Sequence, residues 1–282
     1  MLRTGRRTAK GVAGYDLTRL IVGSEGTLGV ITQATMALRP APEAALTAAA
    51  TFTSAAAALT AVTQIMAAGL QPSMCEFLDA VTIRAIQDYR DMGLPADAKA
   101  LLLVQSDRGP RAADDVEAMG KICSEAGALE VALASDAVES DMLMEARRLV
   151  HPATEKLGAS FVDDVAVPRA KLVDLLEGIE KIAEENRVLV SCLGHVGDGN
   201  MHPTVIFDRA DPASAERAKR AFDAIMELGL ALGGTITGEH GVGILKRDWL
   251  ATELGELSAD LHRKIKAAFD PLGILNPGKV LA

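Results

Sequence analysis

The chain has 282 residues, with 29 lysines and arginines against 38 aspartates and glutamates, and a formal net charge of −9. Its residues are 49% hydrophobic but only 3% aromatic, which excludes a disordered chain and predicts a core of alanine, valine, leucine and isoleucine. The acidic balance disfavours nucleic acid and anionic membranes as partners, because both require clustered lysine and arginine.

The first 40 residues read as strand, turn and strand. Residues 20–22 are apolar, residues 23–29 are rich in glycine, and apolar and polar residues alternate from 30 to 38. The Pro40-Ala41-Pro42 linker that follows predicts a domain boundary. We therefore expect a short β segment over 1–40 and a separate domain over 41–282.

Short strands and helices alternate along the rest of the chain. The predicted strands are 48–52, 73–78, 100–105, 129–133, 161–167, 187–193 and 201–207. The predicted helices are 54–68, 79–90, 111–126 and 135–156, one that starts at Pro168, one over 211–232 and one that starts at Ser258. Hairpin-linked strands favour an α+β fold of ferredoxin-like type, with helices packed on a mixed or antiparallel sheet.

Three cysteines, Cys75, Cys123 and Cys192, lie far apart and form no C-x-x-C pair. An odd number cannot give a complete disulfide framework, so we expect buried thiols and a cytoplasmic protein. Polar residues and glycine interrupt the apolar stretch 44–70, and no signal peptide is apparent, so we expect no integral membrane segment.

Residues 194–203, GHVGDGNMHP, contain two of the five histidines. Asp198-Gly199 between two strand-like runs is typical of a two-residue hairpin turn, and such a turn places His195 opposite His202. Cross-strand partners have Cβ atoms about 4.5–5.5 Å apart, close enough for two imidazoles to share one metal ion. The alternative is two polar residues that flank a turn.

A second segment, residues 233–243, has five glycines in eleven residues and carries Glu239 and His240. Glu239 would complete a site of two histidines and one carboxylate, and His240 would act as a general base near neutral pH. Alternatively, both residues cap a helix after Gly241. Arg147 and Arg148 lie near a helix end, where they form either a solvated face or an anion clamp.

Five segments, in this order, resemble the FAD-linked oxidases of the vanillyl-alcohol-oxidase-like flavoproteins. They are YDLTRL at 15–20, GSEGTLGVIT at 23–32, HVGDGNMH at 195–202, GEHG at 238–241 and NPGK at 276–279. The resemblance covers essentially the whole chain. It is strongest to D-lactate and glycolate dehydrogenases and to the flavin subunit of glycolate oxidase, whereas D-2-hydroxyglutarate dehydrogenase is a more distant relative.

This resemblance implies FAD-dependent oxidation of a D-2-hydroxy acid to a 2-oxo acid. It implies that His195, His202 and Glu239 hold a divalent metal (Zn, Mn or Fe) that polarises the substrate. It further implies that His240 is the catalytic base and that Arg147 and Asn200 bind the substrate. The acidic stretch 161–165 favours a small monocarboxylate such as glycolate or D-lactate.

The resemblance also assigns FAD contacts, which lie in two segments. The implied residues are Ser24, Glu25, Gly26, Thr27, Gly29, Ile31 and Asn276. Most of the family's FAD domain would precede these residues, so we expect 1–40 to be the end of a PCMH-type FAD-binding domain and 41–282 the substrate (cap) domain. The implied partners are the anionic substrate, an electron-acceptor protein, sister subunits or a second copy of the chain.

Two alternatives come from other functional classes. The first is a truncated, non-catalytic domain that binds metal or another subunit. The second is a zinc hydrolase that uses both histidines and Glu239, although it lacks a partner for the activated water beyond His240.

Overall fold

The structure is a computed structural model that describes residues 1–281. The chain forms two units, one made of Pro40–Gly238 and the other of Met1–Arg39 together with Glu239–Ala282. No helix among the described residues combines the length and the apolar character that crossing a membrane requires.

The larger unit carries every strand of the described chain and seven helices. The strands are β1 Leu46–Phe52, β2 Met74–Asp79, β3 Ala100–Ser106, β4 Glu130–Leu133, β5 Ala159–Val162, β6 Val165–Ala166, β7 Leu189–His195 and β8 Asn200–Phe207. The helices of the chain are α1 Leu17–Ile21, α2 Ala55–Ala67, α3 Ala80–Tyr89, α4 Ala112–Glu125, α5 Ala137–Leu143, α6 Glu145–Thr154, α7 Leu172–Asn186, α8 Pro212–Ala231, α9 Arg247–Leu254 and α10 Glu256–Phe269.

All eight strands join one antiparallel sheet, in the order β4-β1-β3-β2-β7-β8-β5, with β6 paired to β8. The first four strands, in the order 4-1-3-2 with α2 and α4 as crossover helices, form a ferredoxin-like arrangement that carries α3 as an extra helix. The α+β fold and its antiparallel sheet confirm the sequence-based prediction.

Helices cover both faces of the central strand β3, which explains its continuous apolar run. Leu101 and Leu103 pack with Ile86 of α3 and Val150 of α6 in one buried cluster. The alternate residues Leu102 and Val104 are also buried, because successive side chains of a strand point to opposite faces. Glu76 and Leu78 of β2 pair with Leu103 and Leu101, which places Glu76 on the face that α3 and α6 cover.

The short β segment predicted over residues 1–40 is wrong. Residues 17–21 form helix α1, where the Asp16 carboxylate accepts a hydrogen bond from Arg19 N at 3.1 Å. A strand needs a neighbouring strand for its backbone hydrogen bonds, and within residues 1–281 nothing pairs in this way with 20–22 or 30–38. The predicted strand 161–167 forms two pieces, β5 and β6, with Asp163 and Asp164 between them.

Candidate active site

The hairpin between β7 and β8 has a longer loop than the sequence predicts. His195 pairs with Asn200, and Leu193 pairs with His202, so the predicted pairing of His195 with His202 is wrong. The loop spans 196–199, and in it Gly199 (φ +82°) lies against Val167, whose N–H donates to Gly199 O at 2.9 Å. A Cβ at Gly199 would lie 2.2 Å from Val167 O. The loop thus combines this tertiary contact with a local turn, in which Asp198 N donates to His195 O at 3.0 Å.

The two histidines nevertheless meet. The register differs from the predicted one by two residues, and an even shift leaves a side chain on the same face of the sheet. The ring centroids of His195 and His202 lie 5.1 Å apart, with 81° between the ring planes. The His202 side chain is buried, whereas 32% of the His195 side chain is exposed. Solvent therefore reaches the imidazole pair at His195.

Glu76 is a site residue that the sequence-based argument missed. It pairs across the sheet with His195, so Glu76, His195 and Asn200 form one row over β2, β7 and β8. Its buried carboxylate accepts hydrogen bonds from His195 Nδ1 and from Arg147 Nε, the latter at 2.6 Å. Burial by itself would raise the pKa of Glu76, but these two partners lower it below its usual value. In the sequence, the sign of this residue was a single glutamate within the otherwise apolar residues 74–78 of β2.

The two arginines of α6 face different surroundings. Arg147 lies over the covered sheet face and reaches Glu76. Arg148 pairs with the more exposed Asp141 and with Glu145, at 2.8 and 2.9 Å. Of the two, only Arg147 is therefore placed beside the histidine pair in the structure.

Asp164 lies between β5 and β6 with no exposed surface. Its Oδ1 is 3.7 Å from His202 Nδ1, and its Oδ2 accepts a hydrogen bond from Thr237 Oγ1 at 2.7 Å. Its backbone carbonyl accepts from Gly238 N at 3.1 Å. Asp164 thus holds Thr237 and Gly238, the two residues before Glu239, by hydrogen bonds and lies close to His202.

The Asn200 side chain is buried, and its Oδ1 has no hydrogen-bond partner within residues 1–281. Gly238 lies against it, since a Cβ there would be 2.5 Å from Asn200 Oδ1. A buried amide oxygen is costly to leave unpaired, so this atom fits contact with a bound ligand. With two imidazoles and the Asp164 carboxylate beside it, the donor set suits a divalent transition metal.

In the smaller unit, Glu239 and His240 are neighbours, each about half exposed, with His240 Nε2 3.7 Å from Glu239 Oε1. The loop that follows them is held by Glu25, whose carboxylate accepts from Val242 N and Gly243 N at 2.7 and 2.9 Å. Glu25 thus binds the backbone just after Glu239 and His240, the residues predicted as metal ligand and base.

The residues predicted to contact FAD also lie in the smaller unit. Asn276 Nδ2 donates to Glu25 O at 2.5 Å, and Lys266 Nζ donates to Thr27 O at 2.8 Å. Ser24 O accepts from both the N–H and the hydroxyl of Thr27, whereas Gly26 takes φ +74° in the turn. Gly29 is half-buried, and Ile31 is 61% exposed, as is most of Val30 beside it. Of the residues predicted to contact FAD, Glu25 and Asn276 are engaged in hydrogen bonds with the protein itself.

Comparison with known proteins shows the family to which this chain is similar. The sequence profile of the family described as FAD linked oxidases, C-terminal domain, matches residues 41–280. Glycolate oxidase subunit GlcD of Bacillus subtilis is 43% identical over all of this chain and 60% of its own length. GlcD of Escherichia coli K12 is 38% identical over 94% of this chain and 54% of its own length. The probable mitochondrial D-lactate dehydrogenase of Danio rerio is 35% identical over 98% and 56%.

Solved structures share the fold at low sequence identity. A 4-ethylphenol oxidase from Gulosibacter chungangensis covers 87% of this chain and 55% of its own, with a TM-score of 0.64 at 20% identity. A p-cresol methylhydroxylase covers 86% and 54%, with a TM-score of 0.65 at 14% identity. The chain spans only about 54–60% of the curated relatives named above. By the match over residues 41–280, the chain belongs to the family of FAD linked oxidases, C-terminal domain.

Proposed function

We propose that this chain is the substrate-binding part of an FAD-dependent dehydrogenase that oxidises a small D-2-hydroxy acid, of the glycolate or D-lactate type, to the 2-oxo acid. The observation that carries this proposal is that the buried Glu76 carboxylate binds both the Arg147 guanidinium and His195, whose ring meets that of His202. A 2-hydroxy acid presents a carboxylate and a hydroxyl, which need a fixed cation and a Lewis acid. The names of the GlcD and D-lactate dehydrogenase relatives support the same substrate class.

In this proposal His195, His202 and Glu239 hold a divalent ion, which is Zn, Mn or Fe. When bound, such an ion supplies a Lewis acid for the substrate's hydroxyl and carboxylate oxygens. The imidazole pair and the buried Asp164 support this assignment. Glu239 is assigned from the family motif, as the residue that follows Gly238 in the chain.

The chain's own residues then have separate roles. Arg147 binds the substrate carboxylate through its terminal guanidinium nitrogens, since its Nε is engaged with Glu76. Asn200 orients the substrate through its buried Oδ1. His240 accepts the hydroxyl proton at a ring nitrogen, as a general base.

FAD is the proposed hydride acceptor, and Ser24, Glu25, Gly26, Thr27, Gly29, Ile31 and Asn276 are the proposed contacts. We assign residues 1–40 to the end of an FAD-binding domain and 41–282 to the substrate domain. The proposed partners are sister subunits, an electron-acceptor protein or a second copy of the chain. A cytoplasmic location stays a prediction.

The test is the absorbance spectrum of the purified chain, with and without added FAD. A flavin spectrum that D-lactate or glycolate bleaches is the expected result. His240→Ala is expected to keep the metal and the flavin spectrum but to lose bleaching. A colourless protein that keeps its metal would contradict oxidation by this chain and favour the alternative, a non-catalytic metal-binding or subunit-interaction module.

A further inference from the structure

We infer that Glu76 is a positioning residue that selects the nitrogen by which His195 binds metal and holds Arg147 at the same site. This inference rests on the proposed function, because it concerns the metal and the substrate carboxylate assigned there. Nothing in the family motifs points to Glu76, which lies more than a hundred residues before His195 in the chain.

The sheet brings Glu76 to the site. It is the direct cross-strand partner of His195, on the face that α6 covers, and Arg147 projects from α6 onto that face. The two carboxylate oxygens serve different donors, Oε1 for His195 and Oε2 for Arg147. A buried charge is costly unless it is paired and hydrogen-bonded, and His195 and Arg147 compensate the charge of Glu76 in this way.

The contact with Glu76 decides the tautomer of His195. A carboxylate only accepts hydrogen bonds, so Nδ1 of His195 carries the proton and Nε2 is the nitrogen able to ligate. His202 Nδ1 also faces a carboxylate, that of Asp164, but at 3.7 Å, which is beyond hydrogen-bond distance. Carboxylates behind metal-binding imidazoles fix ring orientation and raise ligand basicity. Both histidines thus turn Nδ1 towards a buried carboxylate.

The contact of Glu76 with Arg147 orients the guanidinium that would bind the substrate carboxylate. Engagement of Nε by Glu76 fixes the plane of the guanidinium and directs its two terminal amino groups to other acceptors. A substrate carboxylate is the acceptor that this fork fits. Glu76 therefore fixes the spacing between a metal ligand and the substrate cation with one side chain.

The test compares Glu76→Gln with the wild-type chain, without FAD. Glu76 uses a different oxygen for each donor, and Gln replaces one of these oxygens by an NH2 group that only donates, so one of the two contacts is lost. Imidazole ¹⁵N NMR of the metal-free chain reports the His195 tautomer, and competition with a chromophoric chelator reports the Zn²⁺ affinity. We expect the Nδ1–H tautomer in the wild type, a mixture of tautomers in the variant, and a Zn²⁺ affinity of the variant about 10- to 100-fold weaker than that of the wild type.

The matched control is Glu145→Gln, which weakens an exposed Glu–Arg pair of α6 and should change neither readout.

An Nε2–H tautomer in the wild type, or unchanged tautomer and Zn²⁺ affinity in a folded Glu76→Gln chain, would overturn the inference. If the variant does not fold, the wild-type tautomer alone decides. The proposed metal site fails separately, if wild type and His202→Ala bind Zn²⁺ equally weakly. In that case the tautomer of metal-free His195 still tests the role of Glu76.

Discussion

The rings of His195 and His202 lie edge to face with centroids 5.1 Å apart, although the two residues are not directly paired across the hairpin. They are diagonal neighbours, since His202 is two residues beyond Asn200, the partner of His195. Diagonal neighbours on one sheet face are within reach of aromatic side chains. The two imidazoles therefore meet because both side chains lie on the same face of the sheet, and the length of the loop matters less.

Metal retention tests the imidazole pair. We expect His202→Ala to lose the divalent ion, because the change removes one of two neighbouring imidazoles. Elemental analysis of dialysed protein measures the ion, and added Zn²⁺ should raise the melting temperature of the wild type but not that of His202→Ala, since a ligand of the native state stabilises by mass action. His262→Ala is the control, because His262 is exposed and contacts its own helix at Ser258 O. Stoichiometric metal in His202→Ala would contradict the site.

Gly194 tests the close approach of β7 and β8. A Cβ at this position would lie 2.4 Å from Asn200 O and 2.8 Å from Met201 Cα, so the strand backbone would have to move. We expect Gly194→Ala to lower the free energy of unfolding by about 1–3 kcal/mol, as overpacking does in other cores. Urea denaturation measures the loss. Gly29→Ala is the control, where a Cβ meets nothing within 4 Å, and an equal loss there would show that the close contact is not the cause.

Glu25 tests how the loop after His240 is held. Its carboxylate satisfies two backbone N–H groups, those of Val242 and Gly243. Glu25→Ala leaves both without this acceptor, so we expect amide hydrogen exchange at Val242 and Gly243 to become faster. Glu256→Ala, at an exposed glutamate in the first turn of α10, is the control. Unchanged exchange at both amides would show that the loop does not depend on Glu25.

The three cysteines are buried and form no disulfide. Burial raises the pKa of the Cys75 and Cys192 thiols, and it raises that of Cys123 to about 11. A thiol must ionise to react, so we expect no reaction with a thiol reagent at pH 8 in the native protein. All three should react after denaturation in urea. Rapid labelling of the native chain would contradict the burial of at least one of them.

The sequence determined most of the larger unit by itself. Residues 55–67 form a helix because Ser54 caps them and apolar residues recur on one face, and the buried run at 101–104 forms a strand. Both signals are local, and each element finds partners within the same unit. Residues 20–22 and 30–38 carry a similar local strand pattern, but they have no neighbouring strand within residues 1–281, so no ladder forms.

At the candidate site, motif spacing identified His195 and His202 as candidates, the family resemblance added Asn200 and Arg147, and the net charge of −9 disfavoured nucleic acid as a partner. Only the tertiary structure decided that Glu76 joins His195 to Arg147, because cross-strand pairing brings together residues remote in sequence. It also decided the hairpin register, in which His195 pairs with Asn200 and not with His202. Sequence patterns report the preferences of neighbouring residues, whereas these contacts exist only after the sheet has formed.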